Sequence, residues 1–199
     1  MLKTDTQQEI PAGLLDGNIE IFAHESNLSF TNAGKVRPIH RIKTFILQYF
    51  RNEMQASGKG FKILAKWYNG NSKKMLYQWI WYNYGGFTVG VDFNSETKET
   101  NREIWNCGYK TSCEGYGYIC QKIKGCSGEA VTRREIAILQ EISKGYPDKW
   151  IASNLLMKLN TLLVHKKNIS RKICVHSKSE MVAFAVAKKL IHYDRNRET

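Results

Sequence analysis

The chain has 199 residues, with 30 lysines and arginines against 18 aspartates and glutamates, a formal net charge of +12. That balance suits a polyanionic partner, either nucleic acid or an anionic membrane surface, and the length admits one domain or two small ones, each able to bury a core. No apolar run approaches the roughly 18 residues of a membrane span, and the opening Met1-Leu-Lys-Thr-Asp-Thr-Gln-Gln has no signal-peptide apolar core, so the expectation is a soluble cytoplasmic protein with no membrane partner.

Residues 1–35 are weakly patterned. Ile19-Glu-Ile-Phe-Ala and Leu28-Ser-Phe-Thr-Asn alternate apolar and polar positions, which fits short strands. From Pro38 the spacing becomes helical: Ile39, Ile42, Phe45, Ile46, Tyr49, Phe50 and Met54 predict a long amphipathic helix, with the proline in its first turn, ending before Ser57-Gly-Lys-Gly. Phe61, Leu64, Trp67 and Tyr68 repeat the spacing and stop at Asn69-Gly70. Asn71 or Ser72 then caps a helix carrying Met75, Leu76, Trp79, Ile80 and Asn83, closed by Gly85-Gly86. The run Tyr77-Gln-Trp-Ile-Trp-Tyr-Asn-Tyr also reads as an aromatic strand, and the helix is the favoured of the two. Its tryptophans either fill a small core or stack on single-stranded bases, and burial is the commoner fate of large aromatics.

Residues 88–103 read as a polar, acidic loop. Four of the five cysteines follow in the segment 105–126, as Cys107, Cys113, Cys120 and Cys126 with the spacing Cys-x5-Cys-x6-Cys-x5-Cys. Four thiolates satisfy a tetrahedral Zn2+ ion, and the interleaved glycines let a backbone wrap one, although paired ligands in zinc knuckles usually stand two to four residues apart. An iron–sulfur or redox thiol site and unliganded cysteines are the alternatives. Cys174 lies apart and reads as a small buried residue.

Gly125 to Glu129 reads as a hinge because the composition shifts there. Residues 129–199 carry 14 basic and 7 acidic side chains, whereas residues 1–128 carry 16 and 11. The stronger cation density is carboxy-terminal. Thr132-Arg-Arg-Glu135 is a capping box, with Val131 and Ile136 as its staple, and the helix it opens runs through Ile138, Leu139 and Ile142 to a stop at Gly145. Two short helical patterns follow around a tight turn. The first, from about Asp148 to Leu155, turns Ile151, Ala152 and Leu155 inward; the second, about 160–173, buries Leu162, Ile169 and Ile173 with His165 on the same side. The opposite face of the second holds Val164, Lys167 and Arg171, flanked by Leu163, Lys166 and Ser170. A helix of this length fits the roughly 12 Å major groove of DNA. Ser177-Lys-Ser-Glu180 is a further capping box, opening a helix with Met181, Val182, Ala185, Val186, Lys189 and Leu190.

Val131-Thr-Arg-Arg-Glu-Ile-Ala-Ile-Leu, Lys144-Gly-Tyr-Pro-Asp-Lys-Trp-Ile-Ala, Thr161-Leu-Leu-Val-His, Ile169-Ser-Arg-Lys-Ile and Val175-His-Ser-Lys-Ser-Glu-Met-Val together resemble the LuxR/NarL type of DNA-binding domain, in order and without gaps over about residues 130–191. The resemblance implies a four-helix domain that binds double-stranded DNA as a homodimer, commonly through its last helix. Its base and phosphate contacts fall on Thr161, Val164, Lys167 and Arg171, with Lys149 on the preceding helix touching the backbone, and Lys166 beside them is a further DNA-binding candidate. Two positions depart from the pattern: Lys158 stands where a serine usually caps the recognition helix, and Leu163 replaces a residue that is often basic.

The expected fold class is therefore mainly α, a four-helix LuxR-type helix-turn-helix domain over 129–199 behind a small α+β domain over 1–128 that bears the Cys-rich segment. The expected function is a sequence-specific transcriptional regulator and not an enzyme, with RNA polymerase a candidate further partner. Two alternatives stand beside it: a DNA-processing or thiol-redox enzyme that uses the helix-turn-helix for targeting, and a sigma-like promoter-recognition factor. Against the enzyme, Asp92, Glu96, Glu99 and Glu103 lack the companions that metal-dependent cleavage requires.

Overall fold

The computed structural model describes residues 10–88, 90–104 and 110–191, and the chain divides into two compact units, Met1–Glu103 and Ile104–Thr199. In the first, β1 (Glu20–His24), β2 (Asn27–Asn32) and β3 (Lys35–Pro38) form an antiparallel meander in that order. Ile21 pairs with Phe30 and Phe30 with Arg37. The turn between β2 and β3 places Ala33 and Gly34 at φ 49° and 72°, the two positive values that a tight hairpin needs to match strand twist.

The third strand corrects the expectation at Pro38. The proline ends an edge strand, where its missing N–H leaves no ladder bond unmade. A 3-10 turn over Ile39–Arg41 then buries Ile39, Ile42 is buried just after it, and the helix α1 begins only at Thr44, running to Ala56 with Ile46, Phe50 and Met54 buried. α2 (Lys59–Trp67) buries Ile63 and Leu64, and α3 (Ser72–Tyr84) buries Met75, Leu76, Trp79, Ile80, Asn83 and Tyr84. The helical alternative for the aromatic run is the one that forms, capped by Asn71, whose side chain accepts from Lys74 N at 3.0 Å. Trp79 is fully buried and Trp67, Trp81 and Tyr82 are half-buried, so the aromatics serve the core.

The segment read as a polar loop contributes to that core as well. Phe93 is fully buried and bridges both Ile19 and Thr100, and its ring centroid lies 5.4 Å from that of Tyr49. Asp92 beside it is buried, and its Oδ2 accepts from Ile21 N at 2.6 Å.

The second unit contains α4 (Arg133–Ser143), α5 (Asp148–Asn154), α6 (Leu159–Ile173) and α7 (Lys178–Ala187) around one core. The capping box at Thr132 forms in full: Thr132 Oγ1 accepts from Glu135 N at 3.2 Å while Glu135 Oε2 accepts from Thr132 N at 2.8 Å. Gly145 closes the helix at φ 86°. At the second box only half is reproduced as expected. Ser177 Oγ accepts from Glu180 N, and the Glu180 carboxylate accepts from His176 N at 2.7 Å, one residue earlier.

Residues 110–126 of the cysteine-bearing segment pack with this second unit, and the compact units part after Glu103, not at the compositional hinge near 128. The cause is burial. Ile123 and Tyr116 join Val131, Ile136 and Ile169 in the core, and Tyr116 OH donates to Val131 O at 3.1 Å while accepting from Ile123 N at 3.0 Å.

Candidate nucleic-acid interface

α5 and α6 are joined by Leu155 to Lys158, and the turn depends on Leu156 taking a left-handed φ of 50° with its side chain 93% exposed. Leu156 N donates to Ser153 O and Met157 N to Ala152 O, which satisfies carbonyls at the end of α5. Ile151 and Ala152 on α5 and Leu162, Ile169 and Ile173 on α6 are buried, as the helical spacing requires. Hydrogen bonds fix the pair against α4: Asn154 Nδ2 donates to Glu141 Oε2 at 3.3 Å, and Arg134 donates to Leu155 O.

With that side of α6 buried, Thr161, Val164, Lys167 and Arg171 lie exposed along the other. Leu163 and Val164 are 47% and 60% exposed, two neighbouring apolar side chains on the same side of α6 as exposed Lys167. Lys149 is exposed on α5, next to Trp150, whose ring stacks on Tyr146 with centroids 3.7 Å apart. Lys158 is the cap residue of α6, and its side chain makes no capping hydrogen bond.

The structure sorts the expected cations into two groups. Lys166 is half-buried, with Nζ 2.7 and 2.9 Å from the Asp148 carboxylate, so it ties α6 to the first turn of α5. Arg171 is exposed but engaged: its guanidinium makes two hydrogen bonds to Glu129, one of them 2.9 Å from Nη2 to Oε2. The hydrogen bond from Arg171 holds Glu129 below the usual glutamate range. Lys172 reaches the other way, 2.8 Å from Glu135 Oε2 and 3.1 Å from Ala130 O. Burial pushes the Glu135 carboxyl up, but the Lys172 ammonium and the two Thr132 donors outweigh it and hold it below the ordinary value. Of these two acids, Glu129 is not recognisable from the sequence, because its partner lies 42 residues away.

Cys107 lies outside the described residues, Cys113 and Cys120 are half-buried, and Cys126 is joined to Cys174 in a disulfide. Cys174, expected in the interior, is on the surface at the end of α6. Among the described residues no three His, Cys, Asp or Glu side chains gather closely enough to hold a metal ion. A thiolate spent in the Cys126–Cys174 link is not available as the fourth ligand of a tetrahedral zinc site. Among the described residues, no helix is long and apolar enough to cross a membrane.

Residues 129–185 match the family model described as bacterial regulatory proteins, luxR family. Over 63 residues the chain is 40% identical to the oxygen regulatory protein NreC of Staphylococcus carnosus (strain TM300) and to that of Staphylococcus aureus (strain JH9). The match covers 32% of this chain and 29% of either relative, so the chain spans under a third of the curated relatives that it matches. No solved structure matches the chain.

Proposed function

Residues 129–185 being a LuxR-family helix-turn-helix domain, we propose that the chain is a sequence-specific DNA-binding transcriptional regulator that lays α6 in the major groove. The observation that carries this reading is the exposed face of α6, where Thr161, Leu163, Val164, Lys167 and Arg171 stand clear of a core that α5 and α6 have already closed. Exposed cations supply phosphate contacts or bidentate recognition of guanine, and exposed Leu163 and Val164 are the apolar type that meets a thymine methyl. Leu163 thereby has a use even though a basic residue was expected at its position. Lys149 positions the domain on the backbone, and Lys166 acts through Asp148 by holding α5 against α6.

Binding as a homodimer on a two-fold site goes with this proposal. α7 carries an exposed Val186, 59% accessible, beside its buried Met181 and Ala185, a surface suited to a second copy.

In vitro selection from random duplexes, followed by titration, tests the reading. The parent should bind a selected two-fold operator with an affinity that falls steeply between about 50 and 200 mM salt. Lys167→Ala and Arg171→Ala should each weaken binding without unfolding the domain, and Lys167→Ala should lower the salt slope by about one if it meets a phosphate. Parent-like binding by both variants would remove α6 from the interface.

A further inference from the structure

Cys126 and Cys174 stand 48 residues apart in the chain, and their Cα atoms are 6.0 Å apart across a disulfide. Both are on the surface, within reach of small solutes. Cys174 ends α6 in the left-handed conformation, at φ 53° and ψ 52°, where glycine or asparagine is the low-cost choice. Backbone geometry therefore gives no reason for a cysteine there, and its side chain does.

Around this link, segment 125–130 lies against the last turn of α6. Gly125 approaches so closely that a Cβ on it would fall 2.0 Å from Lys172 O. Ser127 donates to the same carbonyl from its N at 3.2 Å and its Oγ at 3.0 Å. Glu129, three residues beyond Cys126, then meets Arg171, three residues before Cys174. That ion pair occupies a guanidinium on the exposed face of α6.

We propose that Cys126 and Cys174 form a reversible redox latch, a thiol-modification site that keeps Glu129 on Arg171 when oxidised and releases it when reduced. The chemistry is thiol–disulfide exchange with a low-molecular-weight disulfide. The Cys126 thiolate attacks one sulfur of that disulfide and expels the first small thiolate; the Cys174 thiolate then attacks Cys126 Sγ, expels the second and closes the Sγ–Sγ bond. Two protein thiols lose two electrons and two protons, and the small disulfide becomes two thiols. Reduction is the same exchange run backwards.

The latch works because the ion pair is weak by itself. Glu129 and Arg171 side chains are 43% and 60% exposed, and pairs in that setting contribute little on their own. A covalent link three residues from each partner raises their effective concentration and keeps the carboxylate in place. Once the link opens, a phosphate competes for the same guanidinium fork on better terms. Only this last consequence rests on the reading of α6 as the DNA-binding helix.

The test uses the full chain equilibrated in glutathione disulfide or in reduced glutathione. Three quantities are read: the Cys126–Cys174 peptide under non-reducing conditions, amide hydrogen exchange at Ser127, and affinity for a selected operator. The oxidised chain should contain the linked peptide; reduction should speed exchange at Ser127 and tighten DNA binding by about tenfold. Cys126→Ser, Cys174→Ser and Glu129→Gln should each bind DNA like the reduced parent in either buffer. The proposal is overturned if glutathione disulfide forms no link, if exchange at Ser127 ignores the redox state, or if an operator-binding parent binds equally in both buffers. A chain that binds no duplex in either buffer would sink the DNA-binding reading, while the mapped peptide and the exchange rates would still decide the latch.

Discussion

Replacing Lys172 with methionine removes the ammonium that pairs with a carboxylate inside the second unit. Lys172 Nζ is 2.8 Å from Glu135 Oε2, and the two side chains are only 13% and 4% exposed. Methionine keeps the apolar stem and leaves Glu135 with the Thr132 amide and hydroxyl as donors, but with no ammonium. Removing one partner of a buried pair costs about 3–5 kcal/mol. The residual exposure of Lys172 lets water replace part of that, so a loss of about 2–4 kcal/mol is expected, against a total of roughly 5–15 for a typical domain. For a unit of this size it corresponds to a fall of at least about 10 °C in midpoint. Amide hydrogen exchange in α4 and α6 measures the change for this unit alone. A double-mutant cycle with Glu135→Gln, which keeps an acceptor for the capping box, should give a coupling of about 1–3 kcal/mol. The sign of the pH effect also follows. Because Glu135 is held below its ordinary pKa, its contribution is present above the unfolded glutamate value and lost as the pH falls through the folded one. In Lys172→Met that acid-linked loss should shrink, because the folded pKa moves up toward the unfolded one. A change under about 0.5 kcal/mol, or strict additivity in the cycle, would refute the argument that this pair clamps the end of α6 to the start of α4.

In the first unit the pH effect runs the other way. Burial, then the charge of Glu20, push the Asp92 carboxyl well above the usual range against the pull of the Ile21 amide, so the stability linked to Asp92 is greatest below its unfolded pKa and declines as the pH rises through the folded one. Asp92→Asn should flatten that decline and raise the unfolding midpoint at neutral pH; an unchanged profile would show that Asp92 is not its source. Ile169→Ala, at a fully buried position on α6, should cost about 2–5 kcal/mol in chemical denaturation and weaken DNA binding in proportion to the unfolded fraction. Gly125→Ala should lift segment 125–130 from α6, since the new Cβ would collide with backbone atoms of Lys172. Faster exchange at Ser127 without loss of the α6 helix would show it, and parent-like exchange would contradict the packing.

The four carboxy-terminal helices were legible because each carries its own local instructions. Thr132 and Glu135 are three residues apart, Gly145 directly follows the cap residue Lys144, and Leu162, Ile169 and Ile173 lie on one side of a single helix. The aromatic helix α3 was legible for the same reason, once Asn71 is read as its cap. Pro38 misled because its fixed φ suits a helix start and an edge strand equally. The segment 88–103 is the loop expected, but its polar neighbourhood hides the burial of Asp92 and Phe93, which the bridges to Ile19 and Thr100 reveal.

By itself, then, the sequence determined the helices of the second unit, the buried and exposed sides of α6, and the family to which residues 129–185 belong. Those features depend on spacings of three to seven residues along one backbone, which periodicity and capping chemistry make explicit. The tertiary structure alone decided that residues 110–126 pack with the second unit, that Lys166 braces α5, that Glu129 occupies Arg171, and that Cys126 meets Cys174. Partners separated by 18 to 48 residues come together only when a shared core fixes the turns between them, and no local spacing rule encodes which distant pair will meet.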